Sequence, residues 1–426
     1  MSAVAFTHAP SVSLWREPTR IQWLTFLAAW FGWILDAFDF TIFLLAMPYI
    51  QKKFGVSMTA TAGVITLTLV LRMAGGVAAG AASDKWGRKW PLMISIVWFA
   101  LCDGAVAIAP TFLWIVILRM AFGFGMGAEW ASGATLAMEN WPKRSRGIAS
   151  GVLQGSWAIG YLLAAVVAGV VLPRWGYKPL FAIAVLPALL VIPIRLLLPD
   201  SKPERESDVP AASQRGGLTR TIMWACVVVG AAFAAYYGLT ALYPTMLMKT
   251  LGLSAQAMSG NVAWFNVGML VGSAVCGYVA MKKGPMVALF VPMLITLPVL
   301  PVYLGLTAAP LWLGAILGGM FGAGYVGVTP LLLTAMFPPE YRGRAVGFVY
   351  HVGACMAAVV PPLITSMTER GGIPLNLAIA YVTGGSLVVT MLLLFFRPRD
   401  IFDEPPAPSA ISLSPVSTGP NQGAVL

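Results

Sequence analysis

The chain has 426 residues, of which 58% are hydrophobic and only 10% charged, and it carries a formal net charge of +11. A soluble domain is about 25% charged, so a soluble enzyme, a disordered chain and a nucleic-acid-binding domain are excluded; the mean hydropathy of +0.81 agrees. Unbroken apolar runs, in place of strict alternation, exclude a transmembrane β-barrel. The fold class is therefore all-α and polytopic, with room for about a dozen spans of ~20 residues in the bilayer.

In chain order, the N-terminal segment 1–20 lacks the short apolar stretch and small-residue cleavage site of a signal peptide, so the first span is expected to stay in the mature protein. Apolar runs between turn signals predict helices at 21–49, 59–82, 90–109, 111–138, 147–171 and 179–198, an N-terminal six-helix bundle over 21–198. Residues 199–219 are rich in Pro, Ser and charge and read as a cytoplasmic linker. A second bundle over 220–396 follows, with helices at 220–248, 257–280, 285–304, 309–336, 345–367 and 374–396. The tail 397–426 is Pro/Ser-rich and is expected to be disordered.

Lys and Arg crowd the chain ends and the loops after even-numbered spans; only Lys52, Lys53, Arg174, Lys178, Lys249 and Arg370 fall on the opposite side. Such asymmetry predicts that both termini are cytoplasmic. It accounts for the net positive charge without a nucleic-acid partner. Cys102, Cys226, Cys276 and Cys355 all lie in apolar runs with no close pair, which points to packing and gives no disulfide framework or metal-ligand spacing.

An internal repeat divides the chain. Pro142-Lys-Arg-Ser-Arg146-Gly147-Ile-Ala-Ser-Gly151 follows the fourth span, and Pro338-Pro-Glu-Tyr-Arg342-Gly343-Arg-Ala-Val-Gly347 follows the tenth. Both read P-x3-R-G-x3-G, and Gly80 and Gly87 recur as Gly277 and Gly284 at nearly the same offset. Two halves in the same orientation make a parallel repeat, which predicts a substrate site between them near the midplane.

The loop after the second span, Gly80-Ala-Ala-Ser-Asp84-Lys85-Trp-Gly87-Arg88-Lys89, resembles the G-x-x-x-D-[RK]-x-G-[RK]-[RK] signature of the major facilitator superfamily. Arg119-x3-Gly123-x-Gly125-x-Gly127 in span four is similar to a second motif of that superfamily. Span five carries Gly151-x3-Gly155-x4-Gly160, a small-residue face for close helix packing. More narrowly, Leu35-Asp36-Ala-Phe-Asp39-Phe, Gly125-Met-Gly-Ala-Glu129-Trp and Glu139-Asn-Trp-Pro142-x3-Arg146 resemble the sialate:proton symporter family of sialic-acid and monocarboxylate transporters. Metabolite:proton and aromatic-acid:proton symporters share parts of these motifs. Two features depart from that pattern. The short linker has no room for the extra central spans of some sialic-acid transporters, and Tyr350-His351 stands where relatives often have Tyr-Asn.

A charge within a bilayer is costly and is a functional candidate by default. At ~1.5 Å per residue, Asp36 lies about 22 Å into the first span and Arg72 about 18 Å above Asp84, so the two share mid-membrane depth. Asp39 is one turn from Asp36 on nearly the same face. Asp36, Asp39 and Glu129 are the candidates for proton coupling, and the alternative for the aspartates is a fixed ion pair with Arg72 that only ties spans one and two. Arg72 either clamps a substrate carboxylate through its planar fork or is the permanent partner of Asp36. Asp103 and Arg119 flank the hairpin at Thr111 symmetrically and are expected to pair as a structural salt bridge.

The resemblance implies a cytoplasmic gate made by Asp84, Gly87, Arg88, Glu139 and Arg146. In the second half, Asn261, Asn266, Tyr325, Tyr350 and His351 are the polar candidates for substrate contact, against ordinary packing as the plainer reading. The expected function is a proton-coupled symporter that imports a small organic anion, a monocarboxylate, by alternating access. The alternatives are a sialic acid, dicarboxylate or aromatic-acid symporter, a drug or metabolite exporter, and a non-transporting sensor. No Gly-x-Ser-x-Gly, His-Glu-x-x-His or Gly-x4-Gly-Lys-Ser/Thr motif is present, so no catalysis, ATP use, metal or cofactor is expected. Its partners are the anion, protons and the lipid bilayer of the plasma membrane, with the monomer as the working unit.

Overall fold

A bilayer offers no water to unpaired backbone groups, so each apolar segment satisfies its N–H and C=O groups by closing into a helix. The computed structural model describes residues 17–86, 89–142, 144–185, 212–337 and 339–397. Gly87 and Arg88, most of the linker and tail, and the expected sixth span beyond 185 lie outside the described residues. The helices of the first half are α1 (Arg20–Phe54), α2 (Met58–Trp86), α3 (Lys89–Ala105), α4 (Phe112–Asn140), α5 (Arg146–Trp175) and α6 (Lys178–Ile183). Those of the second half are α7 (Ala212–Thr240), α8 (Tyr243–Lys249), α9 (Ala255–Lys283), α10 (Pro285–Tyr303), α11 (Leu311–Leu317), α12 (Thr329–Met336), α13 (Pro339–Ala357), α14 (Val360–Glu369) and α15 (Leu375–Phe395).

Among the described residues, 9 helical runs are long and apolar enough to cross a membrane, and Met93–Ile108 and Phe112–Gly127 are shorter apolar helices. Helix α1 starts on a reciprocal cap, with Gln22 N–H donating to Thr19 Oγ1 and Thr19 N–H to Gln22 Oε1. It ends on Gly55, whose φ of 65° is a left-handed conformation that suits glycine.

Three spans read as continuous from hydropathy are broken. The seventh divides between α7 and α8, just before Pro244, and the eleventh between α13 and α14, just before Pro361 and Pro362. The tenth runs from α11 through a π-helical turn (Gly318–Ala323) and a 3-10 turn (Gly324–Val328) into α12, which holds Pro330. Proline removes a backbone donor and clashes with the preceding turn, and hydropathy is blind to both effects.

The two halves touch along two antiparallel seams. In one, α5 lies against α9: Gly147 meets Gly277 and Met281, Gly151 meets Ser273, Gly155 meets Leu270, and Gly169 meets Ser259. In the other, α2 lies against α13 and α14: Gly76 meets the His351 ring, Thr66 Oγ1 donates to the Ala358 carbonyl, and Thr59 and Thr365 hydroxyls bond at 3.0 Å. This seam finishes on the Glu369 carboxylate, which accepts from Met58 N–H at 2.6 Å and Thr59 N–H at 3.3 Å. An anion at a helix N-terminus is stabilised there by the unpaired donors and the helix dipole. The α5–α9 seam is described from Gly147–Met281 to Gly169–Ser259, and the α2 seam from Met58–Glu369 to Gly76–His351.

The small-residue face of α5 is used in two directions. Gly151 and Gly155 face α9, while Gly160 faces α1, where an added Cβ would strike the Ile34 carbonyl and come within 2.7 Å of Ala37 Cβ. Gly160→Ala should therefore lower stability by about 1–3 kcal/mol through overpacking. Gly385→Ala, at a helical glycine with nothing within 4 Å, should hold or raise it. Thermal unfolding of both variants in the same detergent checks the contrast.

Candidate functional site

Motif glycines set the position of the central cation. On α4, Gly123 and Gly127 face α2, where a Cβ would run into the backbone carbonyls of Thr68 and Arg72 respectively. Gly125 instead faces α3, against Trp98 and Phe99, and its carbonyl accepts from Ser95 Oγ at 2.8 Å. Helices α2 and α4 therefore meet backbone to backbone, which fixes where the Arg72 side chain leaves α2.

Asp36, Asp39, Arg72, Asp103 and Arg119 are all between 0% and 1% exposed. The expected pair of Asp103 and Arg119 is present: Arg119 Nη1 donates to Asp103 Oδ1 at 2.6 Å and to the Asp39 carbonyl at 3.3 Å. The Arg119 guanidinium also lies 4.0 Å from the Phe122 ring centroid and 4.8 Å from that of Phe43, a cation–π sandwich that holds it in place. The Asp39 carboxyl feels the charges of Asp103, Asp36 and Arg119, so the aspartates and Arg119 form one electrostatic group.

Arg72 is held differently. Its guanidinium is 5.6 Å from the Tyr350 ring centroid and hydrogen-bonds the Tyr350 hydroxyl, which the Asp36 charge also reaches. Arg72 Nε and Nη2 are buried with no hydrogen-bond partner among the described residues. These two groups form the side-on edge of the guanidinium, the geometry that grips both oxygens of a carboxylate. Leaving them unpaired in an apolar interior is costly, and an anion would satisfy both at once.

The surroundings of Arg72 are aromatic and come from both halves. Tyr350 on α13 packs edge-on to Phe233 at 4.9 Å and lies 6.5 Å from Trp33 on α1. Phe233 stacks on Tyr237 at 5.8 Å and 15°. Phe40 stands 6.4 Å from Tyr237 and 5.9 Å from Trp157, and Trp157 Nε1 donates to Tyr236 Oη at 2.7 Å. Trp33 and Phe40 fall three and four residues either side of Asp36, on its helix face. That spacing was the available signal for an aromatic wall around the charge, and a search for polar side chains passes over it.

The other candidates separate. His351 is 5% exposed, with its ring against Gly76 where α2 and α4 cross, and Arg72 acts on it electrostatically. Tyr325 donates to the Ala232 carbonyl at 2.9 Å, one layer behind Phe233. Asn261 and Asn266 both donate to their own helix α9, to Ala257 O at 2.9 Å and Val262 O at 2.8 Å. Arg146 Nη2 donates to the Trp141 carbonyl at 2.9 Å. Asp84, Glu129 and Glu139 fall on α2 and α4, but their side chains, like Gly87 and Arg88, lie outside the described residues. Among the described residues, no group of His, Cys, Asp or Glu is arranged to hold a metal ion.

Comparison with known proteins gives the family. The Major Facilitator Superfamily profile matches residues 29–313 and 225–418. The cis,cis-muconate transport protein of Acinetobacter baylyi is 26% identical over 84% of this chain and 90% of its own. The sialic acid transporter NanX of Escherichia coli is 27% identical, over 86% and 92%. The probable 4-methylmuconolactone transporter of Cupriavidus pinatubonensis is 32% identical, over 78% and 81%. In fold, the chain is similar to a bacterial homolog of the human lysosomal transporter Spinster, crystallised inward-facing and unoccupied, with a TM-score of 0.63 and 18% identity over 88% of this chain and 95% of that one. The chain belongs to the Major Facilitator Superfamily: it is a multi-pass transporter of the plasma membrane and not an enzyme.

Removing one member of a buried ion pair strands the other, at about 3–5 kcal/mol. Asp103→Asn and Arg119→Gln should each destabilise the protein by that order, while the double variant, with neither charge left, should cost less than their sum. Chemical or thermal unfolding of the three variants tests the pairing.

Proposed function

We propose that the protein is a proton-coupled symporter that imports a small, flat organic monocarboxylate by alternating access. The open Nε/Nη2 edge of Arg72, inside a wall of aromatic rings contributed by both halves, is the observation that carries this reading. A guanidinium fork fits one carboxylate, and aromatic faces fit an unsaturated or aromatic body better than a hydroxyl-rich sugar acid. The names of the muconate and methylmuconolactone relatives support an unsaturated organic-acid body, although muconate itself carries two carboxylates.

Charge balance supports the coupling. Among the described residues, Asp36, Asp39 and Asp103 oppose only Arg72 and Arg119 in the buried core. An apolar interior penalises net charge, so an incoming anion is best accommodated together with a proton. Asp36 and Asp39 on α1 are assigned to hold it, since the Asp36 charge reaches the Tyr350 hydroxyl beside Arg72 and acts on Asp39, with Asp103 committed to Arg119. Carrying a proton with the anion also removes the opposition of a negative-inside potential, about 2.3 kcal/mol per charge per 100 mV. The end of the bundle that carries Arg146 is taken as cytoplasmic and the end that carries Glu369 as external.

Two substitutions test the assignment in proteoliposomes with an imposed pH gradient. Arg72→Lys keeps the charge but loses the planar fork, so the KM for a monocarboxylate such as benzoate or pyruvate should rise at least about tenfold. An unchanged KM would return Arg72 to a structural role. Asp36→Asn or Asp39→Asn should abolish accumulation against a gradient while substrate exchange persists, because an amide keeps the shape but cannot cycle a proton. Accumulation retained in both variants would remove the aspartates from the coupling. In the native protein, stronger competition by sialic acid or succinate than by every monocarboxylate would overturn the substrate class alone.

A further inference from the structure

Ser150 stands in the fifth position of α5, is 0% exposed, and belongs to the half opposite the broken tenth span. Its Oγ donates to the Gly327 carbonyl at 2.8 Å and accepts from Leu331 N–H at 3.1 Å. Gly327 O and Leu331 N are the i and i+4 partners that would bond to each other in a continuous α-helix. A hydroxyl from the other half thus bridges the two ends of one rung of this helix's own ladder. The next rung is missing, since Pro330 has no N–H to offer Val326.

Three glycine contacts bring the hydroxyl this close. Gly151 beside it meets the Ser273 backbone, Gly327 comes within 2.8 Å of Ser273 Cα, and Gly324 within 2.7 Å of Gly272 Cα, measured to an added Cβ. The internal repeat supplies a comparison. The position of Ser150 is taken by Val346 in P-x3-R-G-x3-G of the second half, and that of Pro330 by Ala134 on α4. Helix α4 runs unbroken from Phe112 to Asn140. The break and the plug occur together in one half of the pseudosymmetric pair and both are missing from the other.

We propose that Ser150 is a removable rung that couples the shape of the tenth span to separation of the two halves at the Arg146 end. While the halves are together, Ser150 Oγ bridges Gly327 and Leu331 and holds the 3-10 turn open. When α5 withdraws, it takes the hydroxyl with it, and Gly327 O and Leu331 N–H lose their bridge and open to water. The tenth span then loosens at its kink as the gate opens. A π-turn and a 3-10 turn in series, as found just ahead of this rung, are a recurrent mark of helix segments that move. Both hydrogen bonds form within the protein without substrate. The inference rests on alternating access but is independent of the substrate and of the proton.

Hydrogen–deuterium exchange on the full chain in lipid nanodiscs, resolved to peptides spanning 327–336, reads the rung directly. Ser150→Ala should speed exchange at the Leu331 amide on the order of tenfold, the worth of one buried hydrogen bond, with the α9 peptides unchanged. Spin labels at Arg144→Cys and Lys282→Cys, with the four native cysteines replaced, should show the Ser150→Ala population moving to longer distances across the Arg146 end. Adding Pro330→Ala, which returns a donor to the ladder, should reverse most of the exchange increase. Should Ser150→Ala fail to fold, Ser150→Gly replaces it, with the same expected direction. Leu331 exchange unchanged in a folded Ser150 variant, or a label distance that does not move, overturns the proposal. Absence of carboxylate uptake by the native chain, with Leu331 exchange behaving as expected, would instead count against the transport reading alone.

Discussion

Burial of charge is the constraint on which the rest of this structure depends. Asp36, Asp39, Asp103, Arg72 and Arg119 sit within 1% exposure in a chain whose surroundings are lipid and apolar side chains. Such groups persist only when paired or when they do work that offsets their desolvation. Arg119 satisfies the first condition, with Asp103 at 2.6 Å and two aromatic rings around it. Arg72 meets it only in part, because Nε and Nη2 have no partner among the described residues. The contrast separates a cation fixed by its partners from one with an open hydrogen-bonding edge, the edge that the proposed anion site requires.

Glycine contacts turn this charge arrangement into a machine of two halves. The α2–α4 contact at Gly123 and Gly127 fixes Arg72, and Gly160 brings α5 onto α1 beside Asp36. A further set on α5 and α9 holds the halves against each other, and His351 against Gly76 does so beside the charged site. The aromatic wall crosses the same divide, from Trp33, Phe40 and Trp157 to Phe233, Tyr237 and Tyr350. Any separation of the halves therefore opens the site, and any ligand that bridges Arg72 and Tyr350 favours their closure.

Much of this was legible in the sequence for physical reasons. Apolar runs of the right length become helices because lipid permits nothing else, and isolated charges within them stood out against that background. The Asp103–Arg119 pair followed from equal depth on two helices of one hairpin. The continuity of spans seven, ten and eleven was misread, since mean hydropathy does not register the donor lost at Pro244, Pro330 or Pro361. Asn261 and Asn266 looked like pore-lining polar groups, yet each donates to its own helix α9. The aromatic wall was hidden because Trp, Phe and Tyr in a membrane helix read as lipid-facing bulk until their partners are known. Ser150 was hidden for a related reason: a serine among small residues signals close packing, and only coordinates reveal that its hydroxyl stands inside another helix's ladder.

The most direct measurement of the coupling is the number of protons taken up when a carboxylate binds the purified protein. Titration calorimetry in two buffers of different ionisation enthalpy, near neutral pH, gives that number without any membrane or gradient. Uptake of about one proton per bound monocarboxylate is expected by linkage, falling toward zero in Asp36→Asn or Asp39→Asn. Tight carboxylate binding with no proton uptake in the native chain would contradict the assignment of the buried aspartates, and with it the proton-coupled mechanism.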